Sequence, residues 1–217
     1  MRYDVKIAIF DLDGTVTDSQ EGIVASFRHA LQALDLPADD DMIRHQIGPP
    51  LIEGFTALGV PVGQLDSAVN TYRSFFSHTG IYMNQLYEGV EGMLASLTDS
   101  GIGLALATSK LTEFARRILE YFDIAHVFSE VVGSTADGRI VTKQAIVADA
   151  LDRLGGPDPS TMVLAGDRHQ DMRAAVALGL VPVGVTWGYG SVSELIDSGA
   201  RHLVADPAEL VSLVLAS

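Results

Sequence analysis

Four short stretches of this chain carry side chains that could do chemistry, and three of them follow an apolar run. The first is Ile9-Phe10-Asp11-Leu12-Asp13-Gly14-Thr15, with two carboxylates two residues apart. Residues i and i+2 at a strand end can point the same way, so one carboxylate could attack or ligate while the other exchanges a proton. A bare acidic pair repels itself, and burying it unpaired forces one group to hold its proton, so the spot calls for a metal or a phosphate. Gly14 permits a sharp turn that frees backbone N–H groups for an anion. An ordinary Asp-Gly turn is the competing reading; the apolar strand before it and Thr15 after it weigh against that.

Thr108-Ser109-Lys110 closes the apolar segment ending at Ala107. Either hydroxyl could cap a helix starting near Leu111, and a hydroxyl beside a helix N-terminus is equally an anion site. Lys143 is one of only three lysines, with Lys6 and Lys110. Near a helix start it opposes the macrodipole, so something negative must compensate it, with Ser134 or Asp137 as the trivial partners. Asp167 ends another apolar strand in Ala165-Gly166-Asp167-Arg168-His169-Gln170-Asp171, and Asp171 falls four residues on, a spacing that can face both toward one site. A helix cap with a dipole-favoured second Asp is the plain alternative. Together the acids form an oxygen-rich cluster without Cys or a His pair at ligand spacing, which favours Mg2+. His169 reads as a hydrogen-bonding neighbour. The loop from Gly184 to Gly190 around Trp187 reads as a border of the site.

The elements that must position these residues follow from periodicity. Val5 to Phe10 reads as a buried strand. Helical spacing then covers Ser19 to Leu34, Asp39 to Gln46, Pro50 to Leu58 and Val62 to Ser77, with Pro37, Gly48-Pro49-Pro50, Gly59 and Pro61 as breaks. From Glu88 onward helices alternate with strands at Ile102 to Ala107, Val127 to Val132, Thr161 to Ala165, Val181 to Val185 and His202 to Val204, ahead of a last helix from Asp206 to Leu215. Uniformly apolar strands separated by helices predict a parallel sheet covered on both faces. The expectation is an α/β protein with a Rossmann-like three-layer core, residues 1–17 and 81–217, and an all-helical cap domain inserted at 18–80.

With 217 residues, 47% of them hydrophobic, the chain can bury a substantial core. Its formal charge of -14 argues against a nucleic-acid polymer or an anionic membrane as partner. The absence of Cys rules out disulfides and thiolate chemistry, and neither an export leader nor a membrane span is read, so a cytoplasmic protein, monomer or homodimer, is expected.

The ordered set of Asp11-Leu12-Asp13-Gly14-Thr15, a Thr or Ser after a strand, Lys143, and Gly166-Asp167 with Asp171 resembles the haloacid dehalogenase-like hydrolases across nearly the whole chain. Within that family it looks like the phosphoglycolate phosphatase-like or 5'-nucleotidase-like branch with a helical cap. The resemblance implies a Mg2+-dependent phosphatase acting on a small phosphate ester. Asp11 would attack phosphorus to form an aspartyl-phosphate. Asp13 would protonate the leaving oxygen, then deprotonate the hydrolytic water. Thr108 or Ser109, with Leu12 and Asp13 of the turn, would hold phosphoryl oxygens, and Lys143 would neutralise charge. Asp11, the Asp13 backbone carbonyl, Asp167 and Asp171 would surround the metal, with hinges near Thr17-Asp18 and Tyr82-Asn84. A phosphomutase would use the same nodes; a receiver module has no counterpart of Asp13 two residues from its acceptor. Arg44, His45, Arg73 and Tyr82 are nominated for leaving-group contacts by location alone.

Overall fold

The computed structural model describes residues 4–216. Its main sheet has six strands, β1 (Ile7–Phe10), β4 (Gly103–Leu111), β5 (Glu130–Ser134), β6 (Met162–Gly166), β7 (Val181–Val185) and β8 (His202–Val204), in the order β5-β4-β1-β6-β7-β8. Every adjacent pair is parallel. Between them run helices α5 (Val90–Asp99), α6 (Thr112–Tyr121), α7 (Lys143–Arg153), α8 (His169–Leu178) and α9 (Val192–Asp197), and α10 (Pro207–Leu215) ends the chain. This is the expected α/β architecture.

The apolar runs are explained by burial on both faces. Ile9, Ala105, Ala107, Met162 and Leu164 pack under Ile146, Val147 and Ala150 of α7 and Ala174 and Ala175 of α8. The alternate residues Ala8, Phe10, Leu104, Leu106, Val163 and Ala165 are buried as well, with α5 packed on β4 and α10 on α5. Because strand side chains alternate, an element buried on both sides must be apolar at every position, as β6 and β7 are.

The chain divides into two compact units, Met1–Thr17 with Leu86–Ser217, and Asp18–Gln85. The second unit holds α1 (Gln20–Gln32), α2 (Asp40–Arg44), α3 (Leu51–Ala57) and α4 (Leu65–His78). Its core is aromatic: Phe27 lies 4.7 Å from Phe55 and 4.9 Å from Tyr72, ring centre to ring centre. Among the described residues no helix is long and apolar enough to cross a membrane.

Local departures from the sequence reading have identifiable causes. The predicted helix over Val62 to Ser77 is a 3-10 turn at Val62–Gln64 followed by α4, since Pro61 favours a tight first turn. The chain's exit and return are short strands, β2 (Thr17–Asp18) and β3 (Gln85–Leu86), which pair with each other. Two-residue strands carry too little periodicity to be read from sequence. The strand expected at Val127 to Val132 begins at Glu130, behind a 3-10 turn at Ala125–Val127.

Candidate active site

Asp11 immediately follows β1, the central strand. Registers pairing Phe10 with Leu106 and with Ala165 bring the ends of β4 and β6 level with it. Parallel strands present their carboxyl ends on one edge, and here the strand order reverses around β1, where open α/β sheets bind ligands. That register puts Asp11, Thr108 and Asp167 at the ends of neighbouring strands. The turn after Asp11 is closed by Val16 N–H and Thr17 N–H donating to the Leu12 carbonyl, both at 2.9 Å. Gly14 sits at φ +81°, and a Cβ there would collide with the Asp167 carboxylate.

Lys143 is the hub of the site. Thr142 caps α7, placing Lys143 first in the helix, and its ammonium reaches Asp11 Oδ1 at 2.8 Å, Asp171 Oδ1 at 2.8 Å and the Ala107 carbonyl at 2.9 Å. Its side chain is 3% exposed. The expected trivial partners do not serve: Asp137 instead pairs with Arg139 and accepts from Thr135 in an exposed turn. Burial pulls the Lys143 pKa down, but the Asp11 and Asp171 carboxylates outweigh it and hold the ammonium above the usual lysine range. The Asp11 carboxyl is pushed up to about 6, first by burial and then by Asp171, against the opposing pull of Lys143. Asp167 is raised well above the carboxylate range by burial and by Asp171 and Asp11.

Oxygens of Asp11, Asp167 and Asp171 lie within 4.8 Å of one another, all three residues buried. Asp167 Oδ2 accepts from the Tyr189 N–H at 2.8 Å, whereas its buried Oδ1 has no hydrogen-bond partner. An orphaned buried carboxylate oxygen is costly unless a cation faces it. With Asp13 the site holds four carboxylates against two lysines, a formal imbalance of two negative charges, and its donors are all hard oxygens. That donor set suits Mg2+ or another hard divalent cation.

Sequence reasoning missed Lys110. Its ammonium lies 2.9 Å from Asp13 Oδ2, and the two side chains are 7% and 15% exposed. The available signal was the scarcity of lysine: two of the three stand in this cluster. Thr108 is buried and Ser109 partly so, but neither caps a helix; both lie in β4, which bulges against β5 between Thr108 and Leu111, and Leu111 precedes α6 without a side-chain cap. The Leu12 N–H donates to Asp11 Oδ1 at 2.7 Å. In the loop after β7, the Trp187 indole N–H donates to the Thr15 carbonyl at 3.0 Å. His169 is a neighbour, as expected, and binds Glu194.

The cap candidates belong to the helical unit and are described there by themselves. Arg44 pairs with Asp41 at 2.6 Å, and His45 Nδ1 lies 2.6 Å from the Asp41 carbonyl. A cleft of about 570 Å³ in that unit is lined by Arg28, Arg44, Tyr82 and Asn84 among others; Arg73 is not among its lining residues.

The site is an edge of a parallel α/β sheet lined by buried carboxylates and lysines, a setting that can hold a cation and an anionic group together. Residues 8–185 match the model of the haloacid dehalogenase-like hydrolases, and the chain belongs to that family. It is 40% identical over 209 residues to tyrosine-protein kinase PtkA of Mycobacterium tuberculosis, covering 96% of this chain and 71% of that one. A 5'-nucleotidase of Pseudomonas aeruginosa is 37% identical over 204 residues, 93% of this chain and 92% of its own. A phosphoglycolate phosphatase of Vibrio parahaemolyticus is 29% identical over 232 residues, 99% and 98% of the two chains. Among solved structures, a predicted phosphatase from Clostridium acetobutylicum superimposes with a TM-score of 0.93 at 36% identity over the whole of both chains.

Proposed function

We propose that this chain is a Mg2+-dependent phosphomonoester hydrolase acting on a small phosphorylated metabolite through an aspartyl-phosphate on Asp11. One observation carries the reading: a carboxylate at the end of the central strand is held by a buried lysine, with a second carboxylate two residues on facing a second lysine. A phosphate monoester carries close to two negative charges, so a carboxylate can approach phosphorus only where cations offset the repulsion. Lys143 supplies one and holds Asp11 in place by gripping Oδ1. Asp11, Asp167 and Asp171, with the Asp13 backbone carbonyl, would hold Mg2+, which when bound polarises the phosphoryl oxygens.

The step at phosphorus forms an Asp11 O–P bond as the ester O–P bond breaks, with the proton of Asp13 going to the leaving oxygen. Asp13 then takes a proton from the water that attacks the acyl phosphate, releasing inorganic phosphate and restoring Asp11. Thr108, Ser109 and the backbone of Leu12 and Asp13 are assigned to phosphoryl oxygens. The helical insert is assigned as the cap domain that supplies leaving-group contacts.

For substrate class, the names of the relatives bring two ester types to the front, nucleoside 5'-monophosphates and phosphoglycolate. The first has the relative of higher identity. A second reading, phosphoryl transfer to tyrosine, is favoured by the 40% identity to PtkA. A panel of phosphoglycolate, nucleoside 5'-monophosphates, sugar phosphates, pyrophosphate and phosphotyrosine, with Mg2+ and with EDTA, separates these, alongside ATP with a tyrosine peptide. Phosphate release that EDTA stops and Asp11→Asn abolishes is expected. Near-normal activity in folded Asp11→Asn, or transfer from ATP without ester hydrolysis, refutes the assignment.

A further inference from the structure

The chemistry above leaves unused a second polar cluster, directly behind the metal-facing acids. The turn between β6 and α8 carries Asp167 and Asp171, and between them stand Arg168 and His169, which point away to Glu194 of α9. One oxygen of Glu194, Oε1, accepts from Arg168 Nε at 2.9 Å, from the His169 backbone N–H at 2.9 Å and from His169 Nδ1 at 2.8 Å. Glu194 is itself set by the helix start, since Ser191 caps α9 by accepting from the Glu194 N–H at 3.1 Å. The same stretch of chain touches the acids elsewhere: the Tyr189 N–H donates to Asp167 Oδ2, and a Cβ on Gly190 would collide with the Asp167 carbonyl.

We propose that Glu194 is a positioning residue for the metal centre, fixing the Arg168-His169 turn so that Asp167 and Asp171 converge before the cation arrives. This rests on the metal reading given above. Two carboxylates and Asp11 crowded within 4.8 Å repel one another, so the backbone joining Asp167 to Asp171 must resist being spread. Asp171 Oδ2 accepts from the Arg168 N–H at 3.1 Å, which ties the second acid to the same turn. Three donors on one Glu194 oxygen supply the remaining restraint from outside. His169 stands outside the group formed by Asp11, Asp167 and Asp171, and its Nδ1 faces Glu194. Partners of metal ligands that lie one layer out typically change metal affinity by about 10–100-fold when removed.

The test is Mg2+ binding to the full chain, read by calorimetry and by the fluorescence of Trp187, the single tryptophan, whose indole is tied to the Thr15 carbonyl of the Asp11 turn. Glu194→Ala is expected to weaken Mg2+ binding by about tenfold or more. At saturating Mg2+ most of its kcat returns and KM for the ester is unchanged. Glu194→Gln keeps an acceptor oxygen for the Arg168 and His169 donors and should recover much of the lost affinity. Circular dichroism and thermal melting check that both variants are folded. Wild-type Mg2+ affinity in folded Glu194→Ala overturns the positioning role alone, as does a lowered melting temperature with affinity intact. Wild-type protein that binds no Mg2+ overturns the metal reading and this inference with it.

Discussion

Replacing Lys143 with Met removes the charge while keeping a chain of similar length, and the structure sets what should follow. The ammonium has three partners within 2.9 Å, two of them carboxylates, and its side chain is 3% exposed. Met leaves Asp11 and Asp171 without this cation and leaves the Ala107 carbonyl without its donor. Removing one member of a buried pair costs about 3–5 kcal/mol, because the remaining charge stays buried. For a chain of this size about 2–4 °C accompanies each kcal/mol, so metal-free Lys143→Met should melt about 6–20 °C below the wild type at neutral pH. The deficit should shrink toward about pH 5, where Asp11, raised to about 6, takes up its proton and no longer needs a counter-charge. Added Mg2+ should recover about 2.7 kcal/mol once its concentration reaches about a hundred times Kd, because it supplies the missing positive charge. Turnover should stay depressed by at least about 10²-fold even then, since Mg2+ does not replace the lysine at the phosphoryl oxygens. Differential scanning calorimetry with and without Mg2+ at the two pH values reads the stability half. A variant whose metal-free melting temperature matches the wild type, or whose deficit is the same at both pH values, would refute the buried-hub argument.

The wild type has its own pH signature. Asp11 is raised from 3.8 to about 6 on folding, so the folded state binds more protons than the unfolded one in that window. Its contribution to stability is therefore fully present below about pH 4 and lost as pH rises through about 6, at a cost of about 3 kcal/mol. Metal-free protein should melt higher near pH 5 than near neutrality, with Mg2+ closing the gap; a metal-free melting temperature that rises over that interval would contradict it. Glu194 works in the opposite sense: burial raises it, but the hydrogen bonds from His169 and Arg168 win and lower it to about 2, so its stabilisation is lost only as pH falls from 4.5 toward that value. Gly14→Ala places a methyl group against the Asp167 carboxylate at a left-handed φ, so Mg2+ affinity and kcat should both fall by at least about tenfold while the far-ultraviolet spectrum stays wild-type. Unchanged Mg2+ affinity in that variant would show that the turn does not position Asp167.

The alternation of apolar strands and helices was legible because a strand covered on both faces must be apolar throughout, and β1, β6, β7 and β4 as far as Ala107 read that way. That reading also put Asp11, Thr108 and Asp167 at strand ends, hence on one edge of a parallel sheet. Boundaries were less legible where the local signal is short: the paired two-residue strands β2 and β3, the bulge that carries β4 on to Leu111, and the late start of β5. The Thr108 and Ser109 hydroxyls looked like helix caps because a cap and a strand end use the same residue types.

What the sequence by itself determined is most of the chemical inventory and the edge on which it gathers: four carboxylates, two hydroxyls and one of the two lysines, each next to a strand or helix end. Only the tertiary structure decided who faces whom. Lys143 meets Asp11, Asp171 and a carbonyl 36 residues away, and not the Asp137 beside it in the chain. Lys110 meets Asp13, and Glu194 reaches back 25 residues to His169. The physical reason is the strand order. It sets β4 and β6 on either side of β1, so the partners of each charged group come from strands that are not consecutive, and no local periodicity encodes that neighbourhood.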